Sequence, residues 1–376
     1  EYIHWSSSSQ FPNFETDKVN EYSMSDGWLA VGSGAVSPNG RNLRVTVFYE
    51  GSEGDVVLGL ADGTIFVGDN RLKFLEPLTA GLGNNDVQFM LDKKAFIIGG
   101  RFAKQTIGFT YFDPRREIME IIGYDDHINL TAGPYYCAVR AGDEIWYGGN
   151  SMIAVYDEKD DFWRTLDETR GFSGQIITDM EADSEFVWIA SSSGLTRINQ
   201  SSKRSNPIGF EKIFNHIFIY DIELVDNQLW IASDYDLTVV NLSNERVLNF
   251  KQIGSLGNMA GIEDVLSGFK VLEQFKDEII VSSKQGVWSF DYNTQTWSEL
   301  VDASVFAGRE IFALARFKKY IFLATNDGFI RYDIKDRFIR DYHYEFLGQI
   351  HDMKVDKKHL WLGTTNGLLK FKWTKD

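Results

Sequence analysis

Val187-Trp188-Ile189-Ala190-Ser191, Leu229-Trp230-Ile231-Ala232-Ser233 and Leu360-Trp361-Leu362-Gly363-Thr364 are three copies of one phrase. Weaker copies stand at Ile145-Trp146-Tyr147-Gly148, Ile321-Phe322-Leu323-Ala324, Ile279-Ile280-Val281-Ser282, Phe96-Ile97-Ile98-Gly99 and Val56-Val57-Leu58-Gly59. With the second residue as anchor, the copies fall at 57, 97, 146, 188, 230, 280, 322 and 361, about 43 residues apart on average. A self-similar period of this size marks a repeat architecture.

Two further positions keep step with the anchor. Six residues on stand Gly63, Gly194, Gly286, Gly328 and Gly367, with Asp236 in a sixth copy. Glycine there fits a tight hairpin turn that needs positive φ. Eleven residues on stand Asp157, Asn199, Asn241, Asp291 and Asp333, with Asp113 displaced by an insertion at 101–106. Asx side chains bond backbone amides two residues on, so these positions open turns. Each unit then holds four short strands: one before the anchor, one carrying it, one after the glycine and one after the Asx turn. That is the layout of a β-propeller blade.

The expected fold class is therefore all-β, a single β-propeller over 1–376, with an N-terminal segment at 1–42 and repeats over 43–376. Eight four-stranded blades is the count. Seven is the alternative if the copy at Val57 or Ile97 is not a blade. The last unit supplies only three strands, at 350–355, 359–364 and 368–373. A strand from 2–7 or 28–36 is expected to complete that blade and cover its edge.

The phrase Leu-Trp-(Ile/Leu)-(Gly/Ala)-(Ser/Thr)-x-x-Gly-Leu-x-x-(Phe/Tyr/Ile)-(Asp/Asn), best matched at 360–371 and 187–199, resembles the repeat of the two-component-regulator propellers. The resemblance spans all eight units. It implies a periplasmic sensing propeller of a bacterial hybrid histidine kinase, often one responding to glycan breakdown products. Those sensors usually carry two rings, an immunoglobulin-like domain and a kinase. This sequence carries one ring, so the resemblance implies the fold more directly than the signalling role.

Composition narrows the function classes. A net charge of −16 opposes nucleic-acid binding and docking on anionic lipid. One cysteine, Cys137, permits no intramolecular disulfide and no cysteine-based zinc site. No apolar run is long enough for membrane insertion. The start Glu1-Tyr2-Ile3-His4-Trp5 has no initiator Met and no signal-peptide features. The expectation is a periplasmic or secreted bacterial protein with its signal peptide removed. Phosphate-loop, dinucleotide, nucleophile-elbow and His-Glu-x-x-His motifs are absent.

The innermost strands of a propeller line its channel. Nine residues before the anchors stand Asp179, Asp221 and Asp352; one residue earlier stand Tyr136, Tyr220 and His351. Converging at one channel mouth, these six could bind sugar hydroxyls and apolar sugar faces. Alternatively, each Asp bonds the neighbouring blade's backbone and holds the ring together. His343, His351 and His359 are eight apart but form no His-x-x-x-His element, and read as ordinary polar histidines. No cofactor is expected. Asn326-Asp327-Gly328 and 157–161 hint weakly at calcium without matching its twelve-residue loop. The connections at 123–134, 204–216, 252–264 and 301–308 are candidates for recognition.

The leading function is non-catalytic binding of an oligosaccharide at the mouth or of a protein partner on one face. Two alternatives stand: a carbohydrate-active hydrolase or lyase using the mouth carboxylates, and a structural scaffold in an envelope assembly. Enzyme activity is the less favoured reading.

Overall fold

A computed structural model describes residues 16–25, 27–37, 40–52, 54–61, 64–77, 82–83, 86–92, 96–100, 108–116, 118–123, 127, 129–172, 175–205, 209–254 and 265–375. The chain divides into two compact units, Glu1–Gly81 and Leu82–Asp376.

In the second unit the described strands form seven sheets in chain order, six of four strands and a last one of three. Their innermost strands are Val87–Leu91, Tyr135–Ala141, Ile177–Ala182, Ile219–Val225, Leu272–Phe275, Ile311–Phe317 and Ile350–Val355. Each sheet is an antiparallel meander, as the turn chemistry predicts. Gly194, Gly286, Gly328 and Gly367 all take positive φ at the hairpin between second and third strands. Asp236 does not, and instead accepts the Phe250 amide at 3.2 Å. The Asx turns form as expected. Asn199 Oδ1 accepts the amides of Ser201 and Ser202, and Asp333 Oδ1 those of Lys335 and Asp336.

The anchors are buried because the second strand of each sheet is covered on both faces. Trp146, Trp188 and Trp230 are at most 1% exposed. An aromatic side chain buries roughly 150–250 Å². At about 25 cal/mol per Å², that is on the order of 4–6 kcal/mol before entropy, so the anchors dominate the contacts between sheets. Each apolar cluster joins two consecutive sheets. Trp146 packs with Ile177 and Val187, Trp188 with Ile222 and Ile231, and Trp230 with Ile279 and Phe290. The last cluster joins Trp361 of the seventh sheet to Val87, Phe96 and Ile98 of the first. The ring therefore closes on seven sheets.

This corrects the count of eight. The strands Asn42–Glu50, Asp55–Leu60, Ile65–Asp69 and Phe74–Pro77 do form an antiparallel sheet. They even carry the register shift, between Val45 and Val47, that the propeller sheets show. But three further strands, Ser23–Met24, Leu29–Val31 and Gly34–Val36, extend that sheet to seven. Its core holds Val45, Phe48, Leu58, Phe66 and Leu75, with Tyr22 and Trp28 packed in. The candidate closing strand at 28–36 is likewise corrected, since its residues pair as a hairpin and then with Asn42–Arg44 of the same sheet. The other candidate, 2–7, lies outside the described residues, as do Gly63, the insertion at 101–106 and positions 255–264 of the 252–264 connection.

Candidate functional site

Each innermost strand except the fifth begins with a β-bulge. The register shifts between Val87 and Phe89, Tyr135 and Cys137, Ile177 and Asp179, Ile219 and Asp221, Ile311 and Ala313, and Ile350 and Asp352. A bulge leaves one residue out of the ladder and re-aims its side chain. The residues so freed are Gln88, Tyr136, Thr178, Tyr220, Phe312 and His351, and in the fifth sheet Lys270 lies just ahead of the strand. All seven line one central cavity of about 390 Å³. The six residues expected at the mouth, Tyr136, Tyr220, His351, Asp179, Asp221 and Asp352, all line it too.

The aspartates and their bulged neighbours have different bonds. Asp179 Oδ2 accepts the Ile222 amide of the next sheet at 3.1 Å, and Asp221 Oδ2 accepts the Leu272 amide at 2.7 Å. Asp352 Oδ2 accepts the Met90 amide of the first sheet at 2.7 Å. Thr178 adds a bond from Oγ1 to the Ile219 carbonyl at 2.7 Å, and Cys137 directs its thiol at the Ile177 carbonyl. Each Asp thus staples its sheet to the following one. Tyr220 donates to Asp234, and Lys270 stands 4.7 Å over its ring while pairing with Glu310. His351 Nε2 lies 3.2 Å from Asp86 Oδ1.

A second layer went unread in the sequence. Two residues past the aligned position, on the same side of each strand, stand Glu181, Glu223 and Glu273, and in the seventh sheet Lys354. The period of two in a strand was the available signal. Burial and neighbouring carboxylates raise Glu181 and Glu223. Burial and Glu273 push Glu223 up to about 8, and Glu181 is raised by burial and Glu223. Burial and the Asp179 charge raise Asp221 well above the usual carboxylate range, and the two carboxyl groups hydrogen-bond each other. Lys354 is the counter-charge: Asp352, 4.0 Å away, and Glu273 raise its ammonium above the usual value.

Among the described residues no group of three or more His, Cys, Asp or Glu side chains is placed to hold a metal ion. His343 faces Asp327 and Asp341, His351 faces Asp86, and His359 faces Asp356. The carboxylates behind the calcium hint are engaged locally. Asp157 accepts the amides of Lys159 and Asp160, and Asp327 bonds Thr325 and Arg309. No described helix is long and apolar enough to cross a membrane.

The class that this ring and channel define is the β-propeller. Two solved structures agree on the fold. The chain is similar to the computationally designed Ika8 protein at 15% identity and a TM-score of 0.52, over 87% of this chain and 95% of that one. It is similar to the WD40 β-propeller domain of Doa1 at 10% identity and a TM-score of 0.52, over 77% and 93%. The extracellular domain of the putative one component system BT4673 from B. thetaiotaomicron matches at 14% identity and a TM-score of 0.42, over 88% of this chain and 51% of that one. No protein-family model and no curated protein matches the chain.

Proposed function

We propose that the propeller of residues 82–376 is a non-catalytic binding module of an exported bacterial protein, of the two-component-regulator repeat type. Its ligand is an oligosaccharide held at the channel mouth. The observation that carries this reading is the ring of side chains from all seven sheets. Tyr136, Tyr220 and Phe312 offer flat apolar surface, and Gln88, Lys270 and His351 offer polar groups between them. That combination suits a sugar, which presents hydroxyls at its edge and C–H groups on its face. In this reading the three aspartates hold the ring open, with one oxygen of each already bonded to backbone.

The hydrolase alternative is less well supported. Glycoside hydrolysis needs two carboxyl groups about 5–10 Å apart with the glycosidic bond between them. Asp179 and Asp221 hydrogen-bond each other directly. A protein partner is the second reading, favoured by exposed Ile213, Tyr235, Tyr344 and Phe346 on loops at the mouth end of the sheets.

The test is calorimetric titration of the purified chain with neutral and acidic oligosaccharides. Binding should be lost in Tyr220→Ala and kept in Asp352→Asn. If no oligosaccharide binds, or if Tyr220→Ala binds as well as the parent, the mouth reading fails.

A further inference from the structure

The groove between the second and third sheets is closed by an ion pair. Glu144 accepts the Trp146 indole N–H at 3.0 Å. Lys203, from the last turn of the third sheet, pairs with the same carboxylate and stands 4.9 Å over the Trp146 ring. Lys203 is only 8% exposed, so its side chain plugs the groove.

The groove between the fourth and fifth sheets has the same backbone and a different filling. Gln228 occupies the position of Glu144: each precedes its anchor Trp by two residues, Glu144 opposite Asp157 and Gln228 opposite Asn241. Gln295 occupies the position of Lys203. Each stands four residues past its turn-opening Asx, with φ of 55° for Lys203 and 53° for Gln295. The plug is therefore missing. Trp230 is 1% exposed, yet its indole N–H has no hydrogen-bond partner among the described residues, and neither has the buried Tyr292 hydroxyl. Both line a cavity of about 310 Å³ with Leu248 and Phe290, and Gln228 and Gln295 line it as well. Buried donors are nearly always satisfied, and the wall is mixed, with Val225, Val239 and Ile253 beside Asp226, Asn227 and Asn241.

We propose that this groove binds a small, flat, uncharged molecule that offers a carbonyl-type oxygen to the Trp230 indole, its ring packed against Phe290 and Leu248. The volume is at the low end for ligand pockets, which suits a single-ring molecule. Asp226 at the cavity wall disfavours an anion. Burial, Glu223 and Asp226 hold the Tyr292 phenol protonated, so it remains a second donor. The site is separate from the channel mouth, and the proposal stands whether or not the mouth takes a sugar.

The test uses the indole N–H signals in a proton–nitrogen NMR spectrum. The Trp230 signal is assigned by its loss in Trp230→Phe. If that variant does not fold, Gln228→Glu assigns it, by giving this indole a carboxylate. Benzamide is the probe, with benzoate and ethylbenzene as the charged and acceptor-free controls. Benzamide should move the Trp230 signal saturably, and both controls should bind at least about tenfold more weakly. The double variant Gln228→Glu/Gln295→Lys rebuilds the ion pair of the second groove, and should weaken benzamide by about tenfold or more. A Trp230 signal unmoved by benzamide, equal affinity for ethylbenzene, or unchanged affinity in the double variant would overturn the proposal.

Discussion

The Asp352 carboxylate of the seventh sheet accepts the Met90 amide of the first at 2.7 Å, across 262 residues of chain. Beside it the Trp361 and Phe96 rings meet edge to face at 5.0 Å. These contacts lie at the seam where the ring begins and ends, and no covalent link or shared strand supports it among the described residues of 82–376.

Asp352→Ala should therefore cost stability by leaving the Met90 amide without its acceptor, about 1–3 kcal/mol. Asp352→Asn keeps an acceptor oxygen and should lose less. Urea denaturation of the two variants checks this, and equal losses would contradict the seam role.

The channel acids predict a pH dependence. Glu223 is held up at about 8 against a usual 4.5, by burial and the Glu273 charge. Both folded and unfolded states carry its proton below the lower value, and neither does above the higher. Between them the folded state binds more protons, so its contribution to stability falls as pH rises. Glu223→Gln should flatten the decline in thermal midpoint between pH 5 and pH 8. Lys354→Met should steepen it, because the carboxylates lose their counter-charge as they ionise. Melting curves of the three proteins across that range decide the matter.

Gly328 and Gly367 occupy the same turn in adjacent sheets, with φ of 148° and 122°. A Cβ at Gly328 would stand 2.0 Å from the Tyr342 carbonyl oxygen, whereas one at Gly367 meets nothing within 4 Å. Gly328→Ala should lower the thermal midpoint by several degrees more than Gly367→Ala, a difference of about 1–2 kcal/mol. Similar midpoints for the two would show that φ, not the close approach, sets the cost.

Cys137 is buried, and burial together with the Asp179 charge raises its thiol well above the usual range. A thiol-specific reagent should label it slowly in the native protein and at once in denaturant. Fast native labelling would mean that the seam between the second and third sheets opens readily.

Much of the architecture was legible in the repeat phrase. Strand alternation, the positive-φ glycines and the Asx turns are local chemistry, and each repeats with the anchor. The same locality misled the blade count. Residues 42–77 carry the phrase and the bulge, but the three short strands that extend their sheet to seven have no repeat signature. At the site, equal spacing brought Asp179, Asp221 and Asp352 to one cavity, yet spacing is silent on which amide each carboxylate meets. Glu181, Glu223, Glu273 and Lys354 were readable one alternation further along. The open groove at Trp230 was not, because it depends on Gln295 of one sheet failing to reach Gln228 of another.

The sequence alone determined a meander of short strands, its turns, and which residues anchor each sheet, since these follow from interactions within about ten residues. Only the tertiary structure decided that seven sheets close the ring, that the aspartates bond the backbone of the following sheet, and that the Trp230 indole N–H lacks a partner among the described residues. Those outcomes rest on contacts between residues far apart in the chain, such as Asp352 with Met90 and Trp361 with Phe96. A local pattern can place such residues on a strand, but it cannot choose their partners.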